Sequence, residues 1–212
     1  VATSIDEMTV ADPPQAWRDC GFSLEDEGCV VGEVRIRFAP EEGRGLAGWS
    51  LRAVDSLDLD GLPTARSERP PPDAAPAHPN GIASLDHVVA ISSDLDRTAA
   101  ALSAAGLDLR RVREEPTPAG APRQAFFRLG STILEVVQEP PEATERAGGD
   151  RPAFFWGLAF VCPDLERTVA FFGDRASEIR PAVQPGRQIA TLRRDAGLSL
   201  PVALMTPPGH TV

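Results

Sequence analysis

The stretch "LDHVVAISSDLDRTAAAL" (residues 85–102) sets the fold. Its first half, with apolar residues on both faces, reads as a strand. Leu95, Ala99, Leu102 and Ala105 then recur at helical spacing, and Gly106 supplies a stop. Seventy positions on, "FWGLAFVCPDLERTVAFF" (155–172) repeats the pattern. Asp94/Asp164, Leu95/Leu165, Arg97/Arg167, Thr98/Thr168 and Ala100/Ala170 coincide, which marks an internal repeat. The strand histidine does not recur. Where the first copy has His87, the second has Gly157.

The segments downstream of the two copies also correspond. After 85–102 come "LDLRRVREE" (107–115), an outer strand crowded with Arg110, Arg111 and Arg113, then "RQAFFRLG" and "STILEVVQE" (123–139), a hairpin around Gly130-Ser131. The second copy continues with "SEIRPAV", "RQIATLRR" and "LSLPVALMT" between 177 and 206. Pro201 predicts an edge or bulged position for its last strand. Both copies therefore read β-α-β-β-β. A fainter copy precedes them: "SIDEMTVAD" (4–12) resembles "SLDHVVAIS" (84–92) and sets Glu7 opposite His87. "PPQAWRDCG" is a short helix, and "CVVGEVRIRF" and "GWSLRAV" each read as one strand. The expected organisation is a degenerate module at 1–56, a Pro-rich linker at 57–83, modules at 84–139 and 153–207, and a second linker at 140–152.

The chain has 212 residues, 31 of them acidic and 21 basic, for a formal charge of −10. That balance argues against general nucleic-acid binding, which needs a basic field to neutralise phosphates. No apolar run approaches the length of a membrane span. Three cysteines without metal-site spacing, and no signal peptide, predict a reduced, cytoplasmic setting. Walker, GxSxG and HExxH motifs are absent. Cys162, beside Pro163, reads as a small apolar filler.

The repeated β-α-β-β-β order, with "DHVV…DL" at the start and "FFRLG…ILEVV" at the end, resembles the vicinal-oxygen-chelate superfamily. Glyoxalase I, extradiol dioxygenases and bleomycin-resistance proteins belong to it. The resemblance implies an α+β fold in which paired βαβββ modules make a half-barrel cup. It also implies metal ligands on the first and fourth strands of each module. Those positions are His87 and Glu135 in one module, and Gly157 and about Ala203 in the other. The function implied is that of a small-molecule lyase, isomerase or dioxygenase acting on vicinal oxygens. The alternative is a non-catalytic binding protein of the bleomycin-resistance type.

Three readings of His87 and Glu135 stay open on the residues alone. They can ligate Zn, Ni, Fe or Mn, with His78, His210, Glu7 or a second subunit completing the shell. They can work without metal, His87 moving a proton beside Glu135. Or they are a mutually satisfied polar pair in a sheet. Around the cup, Arg123 and Arg187 are candidates to orient a ligand, and Gln124 to meet a carbonyl. Phe127 and Phe155 are candidates, with Phe126 and Trp156, to line it. The first module would leave a sheet edge to cover, so a homodimer is expected.

Overall fold

The structure is a computed structural model and describes residues 2–25, 28–117 and 120–209. Strand β1 (Ser4–Val10) leads to helix α1 (Pro14–Asp19), strands β2 (Gly28–Val31) and β3 (Val34–Phe38), then β4 (Leu46–Arg52) and β5 (Thr64–Arg66). The second segment comprises β6 (Ser84–Ser92), α2 (Leu95–Ala104), β7 (Asp108–Arg113), β8 (Gln124–Leu129) and β9 (Thr132–Gln138). A short helix α3 (Pro141–Arg146) precedes the third, which comprises β10 (Phe154–Val161), α4 (Leu165–Phe172), β11 (Arg180–Pro181), β12 (Gln188–Thr191) and β13 (Val202–Met205). No described helix is long and apolar enough to cross a membrane.

The strands form a five-stranded sheet in the order β2-β3-β1-β4-β5 and an eight-stranded sheet in the order β11-β12-β13-β10-β6-β9-β8-β7. Within the larger sheet the second segment runs β6-β9-β8-β7 and the third β10-β13-β12-β11, the same first-fourth-third-second order. In both, the first and fourth strands are parallel. The mixed architecture and the matching module order agree with the βαβββ expectation.

The first segment departs from that order. "CVVGEVRIRF" is a hairpin rather than one strand, because Gly32 takes φ +62° in a two-residue turn between β2 and β3. A Cβ at Gly32 would lie 2.8 Å from the Ser84 Cβ, so no larger residue fits there unshifted. Strand β5 falls inside the proline-rich 57–83 stretch and pairs in parallel with β4, Trp49 opposite Thr64. Pro201 also differs from expectation. It stands just before β13, whose place between β12 and β10 is internal, and its carbonyl accepts the Leu158 N–H at 3.1 Å.

The repeated Asp-Leu-x-Arg-Thr is a helix start. Asp94 caps α2, its carboxylate accepting the Arg97 N–H at 3.0 Å, and Asp164 caps α4 from the Arg167 N–H at 2.9 Å. The buried helix faces are Leu95, Thr98 and Leu102 in α2 and Leu165, Thr168 and Phe172 in α4. Thr98 thus takes the inward place that Ala99 was expected to hold, and Thr168 matches it in α4. Thr98 can be buried because its hydroxyl shares a 2.6 Å hydrogen bond with Ser92.

The chain divides into two compact units. One gathers residues up to Glu7, Gly48–Pro70 and His87–Trp156; the other gathers Met8–Ala47, Pro71–Asp86 and Gly157 onward. In the first, α2 packs on β7, β8 and β9. Val88, Ala90, Ala125, Phe127, Leu134 and Val136 are fully buried on that side of the sheet. Asp6 is also fully buried, and its carboxylate takes hydrogen bonds from Arg52, from Ser67 at 2.6 Å and from Arg69 at 2.8 Å. This cluster ties the stretch after β5 to β1. In the second unit, Trp17 packs on Phe22, Phe38 and Phe160 and donates its indole N–H to Asp12 at 3.0 Å.

Candidate functional site

Strand alternation puts Val88, Leu134 and Phe127 toward α2 and turns their neighbours to the opposite, more open face. The register fills that face in rows. His87 pairs with Ile133, which pairs with Arg128; Val89 pairs with Glu135, which pairs with Phe126; Ile91 pairs with Val137, which pairs with Gln124. His87 and Glu135 are therefore diagonal neighbours on adjacent parallel strands. The His87 Nε2 lies 3.5 Å from Glu135 Oε2, and the two side chains are 12% and 17% exposed.

Gln124 completes the group. It is buried, and its side-chain amide donates to Glu135 Oε1. One carboxylate oxygen thus faces an amide and the other an imidazole. The 3.5 Å contact is longer than a well-formed hydrogen bond of about 3 Å.

Other expected residues lie elsewhere. Phe127 is fully buried opposite Leu134 on the α2 side, so it is core, and Phe126 is the phenylalanine beside Glu135. Phe155 is 8% exposed and packs edge-on against Trp49 at 5.0 Å. Trp156, by contrast, is half exposed. Arg123 bridges Asp96 at 3.0 Å and Glu114 at 2.7 Å, bracing α2 and the end of β7 against the start of β8. Arg187 is almost fully buried and grips Asp86 through both terminal nitrogens, at 2.6 and 3.2 Å, and the Thr206 carbonyl. Both guanidinium groups are thus engaged by protein oxygens. The Arg-Gln pair recurs because each copy anchors its third strand by an arginine.

The remaining metal candidates do not join His87. The His78 Nδ1 accepts the Ser23 N–H at 3.1 Å and its Nε2 meets the Val30 carbonyl at 3.1 Å, pinning the end of the proline-rich stretch. Burial lowers its pKa, against the opposing effect of the Val30 contact. Glu7 pairs with Arg69 at 2.8 Å. His210 lies outside the described residues. Among the described residues, no three His, Cys, Asp or Glu side chains converge as a metal group. A catalytic zinc site uses three protein donors. Among the described residues, His87 and Glu135 are two such donors, one short of that set. The cysteines are free and buried, and burial pushes the Cys162 thiol up to about 11, which leaves it protonated and inert.

The third segment shows why the pair is single. Continuing the β10–β13 register sets Gly157 against Pro201 and puts Ala203 where Glu135 stands in its copy. A Cβ at Gly157 would lie 2.6 Å from the Pro201 carbonyl oxygen. The histidine position of this copy cannot carry any side chain without moving backbone.

No protein-family model matches the sequence, and no curated protein matches it. Solved structures do. A xylose isomerase-like TIM barrel/4-hydroxyphenylpyruvate dioxygenase fusion protein aligns over 99% of this chain with a TM-score of 0.61 and 13% identity. The chain spans about half of that protein, 49% of its length. Methylmalonyl-CoA epimerase from Mycobacterium tuberculosis aligns over 61% of this chain and 91% of its own, with a TM-score of 0.49 and 18% identity. A hypothetical protein from Bacillus halodurans aligns over 61% and 97%, with a TM-score of 0.48 and 17% identity. Two segments with the same βαβββ strand order, together with the full-length likeness to the dioxygenase fusion, give this chain the vicinal-oxygen-chelate fold.

Proposed function

We propose that the protein is a small-molecule enzyme that moves a proton on a substrate with adjacent oxygens, using the open sheet face around His87. The observation that carries this reading is the Gln124–Glu135–His87 chain, a carboxylate fixed by a buried amide and set beside an imidazole. In it, His87 takes a proton from a carbon next to a carbonyl, leaving an enolate (an enediolate where that carbon bears a hydroxyl), and returns it to the same or the neighbouring carbon. Glu135 orients the imidazole and stabilises the imidazolium formed in between. Gln124 holds Glu135 in place. Phe126 offers a flat apolar surface next to the pair. The chemistry belongs to the isomerase side of the expected range and needs no third metal ligand.

Proton NMR in D2O with pyruvate, dihydroxyacetone and acetoin tests it. The expected result is deuterium incorporation above the buffer rate for at least one compound, reduced about 100-fold or more in H87A and E135Q. Exchange at the buffer rate with all three, or exchange indifferent to both substitutions, overturns the enzyme reading. Saturable binding without exchange would favour the non-catalytic binding protein instead.

A further inference from the structure

The rows that hold His87, Glu135 and Gln124 continue onto the edge strand. Across β8 and β7, Arg128 pairs with Asp108, Phe126 with Arg111 and Gln124 with Arg113. A bulge between Leu109 and Arg111 shifts the register, and the shift brings Arg111 opposite Phe126. The outer half of the open face therefore carries Arg111, Arg113 and Arg128, with Asp108 opposite Arg128, while the inner half carries His87 and Glu135. Phe126 lies between the two halves.

These arginines are not equivalent. Arg113 approaches Glu115 at 3.8 Å, and the neighbouring Arg110 pairs with Asp108 at 3.1 Å. Among the described residues, Arg111 and Arg128 take part in no ion pair or side-chain hydrogen bond, and both are exposed. Phe126 and Arg128 share a strand face roughly 7 Å apart, and Arg111 stands roughly 5 Å from Phe126 across the ladder. Two exposed arginines thus flank Phe126 in the strand register, one on its own strand and one across the ladder. The protein as a whole carries −10, so a local cationic patch runs against the general charge. Edge strands carry charge to discourage edge-to-edge pairing, which accounts for arginines on β7. Arg128 belongs to the internal strand β8, and the carboxylate opposite it, Asp108, is engaged by Arg110 instead.

We infer that Arg111 and Arg128 form an oxyanion clamp, and that the ligand of this face carries a carboxylate or phosphate group. The anionic end lies across Arg111 and Arg128, its body covers Phe126, and its reactive carbon reaches His87 and Glu135. Guanidinium groups suit this task because they present paired donors to planar or tetrahedral oxyanions. The assignment of a reactive carbon rests on the proton-transfer reading above; the clamp itself does not.

The test is a titration with sodium phosphate and, separately, sodium acetate at constant ionic strength. Arginine side-chain N–H signals are followed by nitrogen-15 NMR. The clamp predicts saturable shifts at Arg111 and Arg128 with at least one of the two anions, and the responding anion identifies phosphate or carboxylate as the source. Affinity should fall about tenfold or more in R111A and in R128A. It should be unchanged in R146A, which removes the same charge from α3. E135Q should bind the anion as well as the parent protein or better. Absence of saturable shifts with both anions, or equal weakening in R146A, overturns the clamp. Intact anion binding in a protein that catalyses no exchange would sink the enzyme reading and leave the clamp standing; exchange unaffected by R111A and R128A would do the reverse.

Discussion

Gly157 and Pro201 occupy, in the third segment, the places that His87 and Ile133 occupy in the second, and they meet too closely for any side chain at 157. This contact leaves the His87–Glu135 pair without a counterpart in the third segment. A G157A variant should lose about 1–3 kcal/mol of stability, because overpacking against a carbonyl oxygen must move backbone. For a chain of this size that is a fall in Tm of roughly 2–10 °C, measurable by calorimetry. Unchanged stability would show that β13 can yield at Pro201.

Gln124 should matter to stability as well as to activity. In Q124L the Glu135 Oε1 loses its donor within a partly buried site. A cost of about 1–3 kcal/mol is expected in urea unfolding, together with the loss of proton exchange. Full stability in Q124L would mean that water replaces the amide.

Two buried groups set separate pH windows. Burial pushes the Asp6 carboxyl up, but hydrogen bonds from Ser67 and Arg69 and the charges of Arg52 and Arg69 outweigh it and lower the pKa below 3.8. Its contribution is therefore complete above the unfolded value and is lost as pH falls from about 4 through the folded one. His78 is also lowered, by burial, so the stability it confers is full above 6.5 and declines as pH falls from there through the folded value. Unfolding curves should show a shallow loss below about pH 6.5 and a further loss below about 4. In D6N the lower window should shrink, with a cost of about 3 kcal/mol near neutral pH because the arginines lose their counter-charge. A remainder stays with Asp96, Glu114, Glu139 and Asp150, whose carboxyl pKa values are also lowered by hydrogen bonds from arginines. A lower window of unchanged size in D6N would show that the Asp6 cluster does not set it.

Chelation should have little effect. With two donors at His87 and Glu135, dialysis against EDTA should leave Tm within about 1 °C, since removing a bound stabilising ion would lower it. Stoichiometric zinc, nickel, iron or manganese in protein purified without added metal, lost in H87A, would require a donor from outside the described residues of this chain.

The helix caps offer a check on the repeat itself. D94A and D164A should each cost about 1 kcal/mol, because each leaves the Arg97 or Arg167 N–H without its acceptor. A neutral result at either would show that solvent serves that N–H equally well.

Part of the site was legible from local pattern. Polar His87 and Glu135 stand out in apolar strands, and first-to-fourth strand pairing brings them together. The two-residue turn at Gly130-Ser131, with φ +64° at Gly130, also fixes which β8 residue faces which β9 residue. Followed through, that register sets Phe126 opposite Glu135, with Gln124 diagonal to the same carboxylate. The signal that would have chosen Phe126 over Phe127 was therefore present in the hairpin. Arg123 and Arg187 were harder to judge, because their acceptors Asp96, Glu114 and Asp86 are distant along the chain and nothing local marks them.

By itself the sequence determined the βαβββ repeat, the strand-to-helix joints and the polar His87 and Glu135 in apolar strands, because periodicity and strand alternation act over a few neighbouring residues. Tertiary structure alone decided that Arg187 is buried on Asp86, that the β7 bulge carries Arg111 to the face of Arg128, and that Gly157 admits no side chain. Each of these depends on the distance between strands that meet only when the sheet forms, and no local rule in the chain specifies that distance.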